Sequence, residues 1–472
     1  MRGRATIVLD VGKTLSKLSL WSPDGALIER RVRPNERVRT ADYAALDTAG
    51  IELWATEVLR YFGTLADVGA IIPVGHGAGV AIIRDDRLAC PPIDYEEAMP
   101  VHLRAAYEAE RGAFAETGSP FLPDGLNLGA QLFRLEHLDP SLAHGTRILP
   151  WAQYWGWRLS GVAASEVTSL GCHSDLWNPI AGTPSQLAER RGWANRLAPL
   201  RRAGDILGRL APAWAATTGL PADTEVHCGL HDSNAALLAA RGFAEIAEHE
   251  STVLSTGTWF VAMRSPKDAA SVDTGRLDER RDCLINVDAF GKPIPSARFM
   301  GGREIETLIG LDTRRIDIAP DQPALLAALP DVLAAGAMVL PSFAPGFGPF
   351  PHGRGGWIAE PAGSERRRAA VSLYAALLAD AALDMVGTCE RLLIEGRFAE
   401  GQAFVRALAA LRPDLRIYIG KAHNDVSYGA LRLLGAAAPT AEPLELVEPL
   451  EVDLAPYRDR WREEAERVEE TA

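Results

Sequence analysis

The stretch Thr6-Ile-Val-Leu-Asp10-Val-Gly12-Lys13-Thr14-Leu-Ser16-Lys-Leu18-Ser-Leu-Trp21 decides the fold. An apolar run ends in an acid, a glycine turn follows, and Leu18-Ser-Leu alternates before the turn signal Pro23-Asp24-Gly25. This reads as a β-hairpin with chemistry-bearing residues in its first loop. Leu46, Ile51, Leu53, Trp54, Val58, Leu59 and Phe62 recur mostly at helical spacing and predict a helix over 43–62. Ala70-Ile-Ile-Pro-Val74 predicts a buried strand leading into Gly75-His76-Gly77-Ala-Gly79. Strand, helix and strand in that order point to an α/β layer fold.

Further along, 126–161 looks helical and ends in the cluster Trp151, Tyr154, Trp155 and Trp157. Aromatics at that spacing mostly fill core, although stacking on a sugar is the other reading. Val226-His-Cys-Gly-Leu-His231-Asp232-Ser233-Asn234 reads as a strand, a glycine and then an acid opening an alanine-leucine helix. Ser251-Thr-Val-Leu-Ser255-Thr256-Gly257-Thr258-Trp-Phe is a second hairpin with a hydroxyl-rich turn, so the domain boundary is expected near 241–249. Gly301 and Gly302 open a helix, 340–350 is a loop, a long helix is expected over 364–395, and strand 415–419 and helix 428–435 follow. Both halves open with an apolar strand and a Gly/Thr turn.

The chain has 472 residues, enough for two or three domains, and 47% hydrophobic with 24% charged residues marks an ordinary globular protein. A net charge of −13 argues against nucleic acid as a partner. The five cysteines (Cys90, Cys172, Cys228, Cys283, Cys389) are odd in number and form no C-x-x-C pair, which speaks for a reducing compartment without structural zinc. No signal-peptide pattern is visible, and the most apolar helix candidate carries Asp380 and Asp384. A cytoplasmic protein without a membrane span is expected.

Gly12-Lys13-Thr14 invites a P-loop reading, but the first glycine of that motif would fall at Ile7, so the spacing rejects it. What remains is a tight turn able to face phosphate, with Asp10 placed to hold a hydrated Mg²⁺. Thr256-Gly257-Thr258 offers a second such turn, and two of them would position a phosphate chain for transfer. Asp232, at a helix start, either caps that helix or serves as general base toward an alcohol. His227 and His231 stand four apart as helical zinc ligands would, but Gly229 and the strand-like lead-in argue against a metal there.

The ordered set Asp10-x-Gly12-x-Thr14, Gly75-His76-Gly77, Gly229-x-His231-Asp232-Ser233, Ser255-Thr256-Gly257-Thr258, Gly301-Gly302 and Gly396 resembles the FGGY family of carbohydrate kinases across the whole chain. The resemblance implies an α/β protein of two actin-like, ribonuclease-H-like domains with a central cleft. Residues 1–245 would bind the sugar and carry the base, and 246–472 would bind the nucleotide. It implies ATP and Mg²⁺ as cofactors, Asp232 as the base and Asp10 as the residue positioning the metal. Gly12, Lys13, Thr14, Thr256, Gly257 and Thr258 would contact phosphates, Gly301, Gly302 and Gly396 the nucleotide, and Gly75, His76, His231 and Asp232 the sugar. Lys13 stands where the family usually has a small hydroxyl residue, and the adenine segment Glu395-Gly-Arg-Phe-Ala-Glu-Gly401 lacks the usual run of glycines. A small-molecule ketose is the expected substrate, a pentulose or a 6-deoxyhexulose such as L-fuculose or L-rhamnulose. A homodimer is expected by the same analogy. The alternative is a non-catalytic actin-like nucleotide-binding regulatory module.

Overall fold

The structure is a computed structural model that describes residues 3–313, 316–420, 426–435 and 443–471. The chain divides into two compact units, Met1–Gly242 with Ile285–Pro293 and Asp425–Ala441, and Phe243–Leu284 with Ile294–Asn424 and Glu442–Ala472. The sequence expectation drew two contiguous halves, whereas both units here are discontinuous. One reason lies in the helix Val426–Leu431, where Gly429 packs so closely on the helix Asp232–Ala240 that a Cβ would fall 1.7 Å from the Ala235 carbonyl oxygen.

In the first unit the strands run in the order Ile206–Arg209, Glu225–His227, Val68–Gly75, Ala5–Val11, Leu15–Trp21, Leu27–Pro34, with Leu230–His231 also on Val68–Gly75. Ala5–Val11 is buried along its whole length, pairing antiparallel with Leu15–Trp21 and parallel with Val68–Gly75. Its continuous apolar run is what a strand covered on both faces requires. The helix Thr48–Leu65 lays Ile51, Ala55, Val58, Leu59 and Phe62 on this sheet. It starts later than the periodicity suggested, because the Asp47 carboxylate caps it by accepting from Gly50 N at 2.8 Å, while Ala44–Leu46 forms a short strand. The expected single helical stretch over 126–161 is interrupted by the strand Arg147–Pro150, which pairs with Val80–Arg84. Trp151, Tyr154, Trp155 and Trp157 on the following helix are all buried, so the cluster fills core.

The second unit repeats the arrangement. Pro293–Phe299, Phe260–Ser265, Ser251–Thr256, Arg391–Gly396 and Arg416–Ile419 lie side by side, the first three antiparallel and the last three parallel. With the outer strands Ile206–Arg209 in the first unit and Cys283–Val287 and Glu445–Leu446 in the second set aside, both units share the strand order 3-2-1-4-5 along the chain. Its central helix, Ser364–Val386, stops at Gly387 with φ +71° rather than near 395, and Arg391–Gly396 is a buried strand. That helix is long and apolar enough to cross a membrane, but it is mostly buried within the unit, and Asp380 on it is wholly buried against Arg412 and Arg462.

Candidate functional site

In the first unit, register brings the candidate residues to one sheet edge. Asp10 pairs with Val74 and Val11 with Gly75 across one parallel ladder, and Gly75 faces His231 across another. The carboxyl ends of three strands therefore present Asp10, Gly75-His76 and His231-Asp232 together, the edge at which open α/β sheets bind ligands. Asp10 is buried, with Lys17 Nζ 3.4 Å from its Oδ2. The turn after it is held by Gly12 N donating to Leu15 O at 3.1 Å and by Asn35 Nδ2 donating to Gly12 O at 2.8 Å. Thr14 is exposed.

Asp232 opens its helix without capping it, because His231 occupies the N-cap position. Ser233 N donates to Oδ1 at 2.6 Å and His231 Nε2 lies 3.2 Å from the same oxygen. No hydrogen bond from the described residues reaches Oδ2. Burial works to raise this carboxyl, but the bond and charge of His231, then His76 and the Ser233 amide, outweigh it and hold the group below its usual value. The Asp232 side chain keeps 29% exposure, so a substrate can reach it.

His76 is buried beside this carboxylate, packed at 5.4 Å from the Tyr95 ring and 5.7 Å from Trp151. Neither ring nitrogen has a hydrogen-bond partner among the described residues. Burial pushes its pKa down to about 4, against the pull of Asp232, so the imidazole is neutral at pH 7. A neutral buried ring with an unpaired donor and an unpaired acceptor suits a sugar hydroxyl, which can accept from one nitrogen and donate to the other.

Lys13 does not stand free. Its ammonium pairs with the buried Asp94 and lies 4.9 Å from the centre of the Tyr95 ring, while Arg37 Nε is 3.0 Å from the same Asp94 oxygen. Asp94, in the segment Pro92-Ile-Asp94-Tyr95-Glu96, is the partner that sequence reasoning left unconnected. Cys172 and Glu166 were likewise missed as neighbours of the site. Glu166 is fully buried, caps the helix Val167–Leu170 and reaches His231 N through the Thr168 hydroxyl. Burial raises its carboxyl to about 7.

In the second unit, the turn Thr256-Gly257-Thr258 lies against the helix Gly301–Ile309. A Cβ on Gly302 would fall 2.0 Å from the Gly257 carbonyl oxygen, so only glycine admits this contact. The Thr256 hydroxyl is fully used, donating to Glu395 O at 2.5 Å and accepting from Phe398 N at 3.1 Å. Thr258 is partly exposed and its hydroxyl makes no hydrogen bond among the described residues. Gly396, paired with Thr256 in the parallel ladder, has φ +84°, and Arg397 follows it with its guanidinium 5.0 Å from the Phe398 ring centre.

The donor set fits Mg²⁺. Among the described residues no three His, Cys, Asp or Glu side chains converge as a metal cage, and one carboxylate is what Mg²⁺ bridged to nucleotide phosphates uses. Asp10 would supply that hard oxygen.

A carbohydrate kinase from Novosphingobium aromaticivorans, known from its crystal structure, is 57% identical, with a TM-score of 0.93 over 97% of this chain and 100% of that one. The family model "Carbohydrate kinase FGGY, C-terminal domain" matches residues 248–443. This chain belongs to the FGGY carbohydrate kinase family. A rhamnulokinase from Bacillus subtilis (strain 168) is 28% identical over 242 residues, 51% of this chain, and the match spans less than half of that relative, 44%. Xylulose kinase from Rhodospirillum rubrum, 19% identical with a TM-score of 0.80 over 99% of both chains, shares the fold. The architecture of two actin-like α/β domains is the family's, and membership implies ATP as phosphoryl donor.

Proposed function

We propose that the chain transfers the γ-phosphoryl group of ATP to a hydroxyl of a neutral ketose, a pentulose or a 6-deoxyhexulose. The observation that carries this reading is Asp232 at the carboxyl ends of the strands, whose Oδ2 is unclaimed among the described residues, as are both ring nitrogens of the neutral His76 beside it. Asp232 takes the proton of the attacking hydroxyl as that oxygen bonds to the γ-phosphorus and the bond to the ADP oxygen breaks. His76 orients the sugar and His231 acts on it through Asp232, while Gly75 lets the strand end pack closely on Trp151 and Ala152. Asp10 would hold Mg²⁺, which supplies charge neutralisation on the phosphates. In the first unit the exposed Thr14 hydroxyl, on the turn that Gly12 closes through Leu15 and Asn35, contacts phosphate; in the second the Thr258 hydroxyl, on the turn that Gly257 closes through Trp259, does the same, with the Gly301-Gly302 helix start and Gly396 beside the nucleotide. Lys13 is committed to Asp94, so no spare cation stands beside His76 among the described residues to receive a sugar carboxylate. This favours a neutral sugar over an aldonate.

The test is ADP release with Mg-ATP against L-rhamnulose, L-fuculose, xylulose, ribulose, gluconate and glycerol, with Asp232→Asn alongside. Ketose-dependent release lost in the variant is expected. Silence across the panel, with ADP still raising Tm, would sink the kinase reading in favour of a nucleotide-binding module.

A further inference from the structure

The neighbourhood of the base contains a group with no part in the reaction just described. A Cβ built on Gly77 would sit 2.8 Å from His231 Nε2 and 2.9 Å from Cys172 Sγ. Sulfur and imidazole therefore border the same space, which Gly77 leaves open by having no side chain. Cys172 is buried, on the segment that follows the helix Val167–Leu170, and the same imidazole nitrogen lies 3.2 Å from Asp232 Oδ1.

We propose that Cys172 is a positioning residue for the base, its sulfur holding His231 as an imidazolium between Cys172 and Asp232. The proposal rests on the reading of Asp232 as general base. The imidazolium pins Oδ1 through Nε2 and leaves Oδ2 to the substrate. Moving the thiol proton to the imidazole leaves the net charge of the three groups unchanged at one negative, so the carboxylate gains a charged donor without the site gaining charge.

The surroundings support this state. Burial alone would raise the thiol and lower the imidazole, but their mutual attraction, with His173 acting on the sulfur and Asp232 on the ring, drives the thiol well below and the imidazole well above their usual values. His76 faces the group from the Gly75–Gly79 turn and Glu166 from beneath the strand end, with Lys13 and Asp94 acting on His76. At Nδ1, Asn234 Nδ2 lies 3.2 Å away while Asn234 Oδ1 has no partner among the described residues. Half a turn of that amide gives Nδ1–H the carbonyl acceptor that an imidazolium requires.

The first test needs only the unmodified protein. Burial pushes Cys90, Cys283 and Cys389 up to about 11 and Cys228 well above its usual value, so these four are silent at neutral pH. The ultraviolet thiolate band should correspond to one thiolate per chain at pH 7 and vanish in Cys172→Ser. No band below about pH 8 overturns the proposal. The second test is the pH profile of kcat/KM. Without the thiolate, His231 loses its proton at lower pH, and Asp232 loses its cationic partner and becomes harder to ionise. The acid limb of Cys172→Ser and Cys172→Ala should therefore move up by about one unit, roughly a tenfold loss on that limb, with KM for ATP unchanged. Superimposed limbs, even at a reduced rate, overturn the relay. Asp232→Asn separates the two readings. Full activity there removes the base and with it the role of the relay, whereas an inactive Asp232→Asn with no thiolate band overturns the relay alone.

Discussion

His231 Nε2 stands 3.2 Å from Asp232 Oδ1 and so occupies one carboxylate oxygen, while no hydrogen bond among the described residues claims the other. Replacing the carboxylate by an amide keeps the shape and removes the proton acceptor. Asp232→Asn is expected to lower kcat by ~10²–10⁴ while the rise in Tm on adding ADP is retained. Loss of both together would assign Asp232 to folding instead.

His76 and Glu166 impose opposite pH dependences on stability. His76 drops from 6.5 to about 4 on folding, so the unfolded chain binds the extra proton, and stability is lost as pH falls through that window. Glu166 rises from 4.5 to about 7, so its contribution is present at low pH and lost as pH climbs through 7. Each is worth about 3 kcal/mol at full effect, and between them they largely cancel. Tm measured from about pH 4 to 8 should therefore tilt in opposite directions in the two variants. His76→Gln should gain relative to the unmodified protein toward acid, and Glu166→Gln toward neutral pH.

Lys13→Met tests which anion the ammonium serves. Asp94 keeps Arg37 Nε at 3.0 Å, so the expected loss is about 1–3 kcal/mol, less than the ~3–5 kcal/mol of stripping a buried charge bare. Tm should fall with KM for ATP unchanged. An increased KM at constant Tm would return Lys13 to the phosphates.

Gly302→Ala pushes a methyl into the Gly257 carbonyl, a backbone atom that cannot rotate away. A loss of at least ~1–3 kcal/mol is expected together with weakened ADP binding, read by calorimetry and by the ADP-dependent shift in Tm. Gly356→Ala, with open space around it and no left-handed φ, is the control for replacing a glycine without a clash.

The hairpin at Asp10, the turn at Thr256 and the acid at 232 were legible because local chemistry, a strand end followed by Gly and hydroxyl residues, fixes them. Leu392 was not. It falls on the apolar stripe of the preceding helix, and a short all-apolar run reads alike as buried strand or helix until Gly387 is seen in its left-handed conformation. The same ambiguity hid the strand Arg147–Pro150. The partners of the site residues were the least visible. Nothing near Lys13 in sequence announces Asp94, and nothing near His231 announces Cys172, because both contacts arise from strands and loops brought together by the sheet. Thr256 shows the converse, a hydroxyl whose type suited phosphate but whose bonds are spent on the Glu395 and Phe398 backbone.

The contact of Gly429 on Ala235 has a consequence for biogenesis. The surface of the helix Asp232–Ala240 stays uncovered until roughly 190 more residues have been made, on the order of 10–40 s at ordinary elongation rates. The first unit therefore cannot finish folding in the order in which it leaves the ribosome, and nascent chains stalled before residue 426 should be cut by protease within it. Chains released past residue 435 should resist.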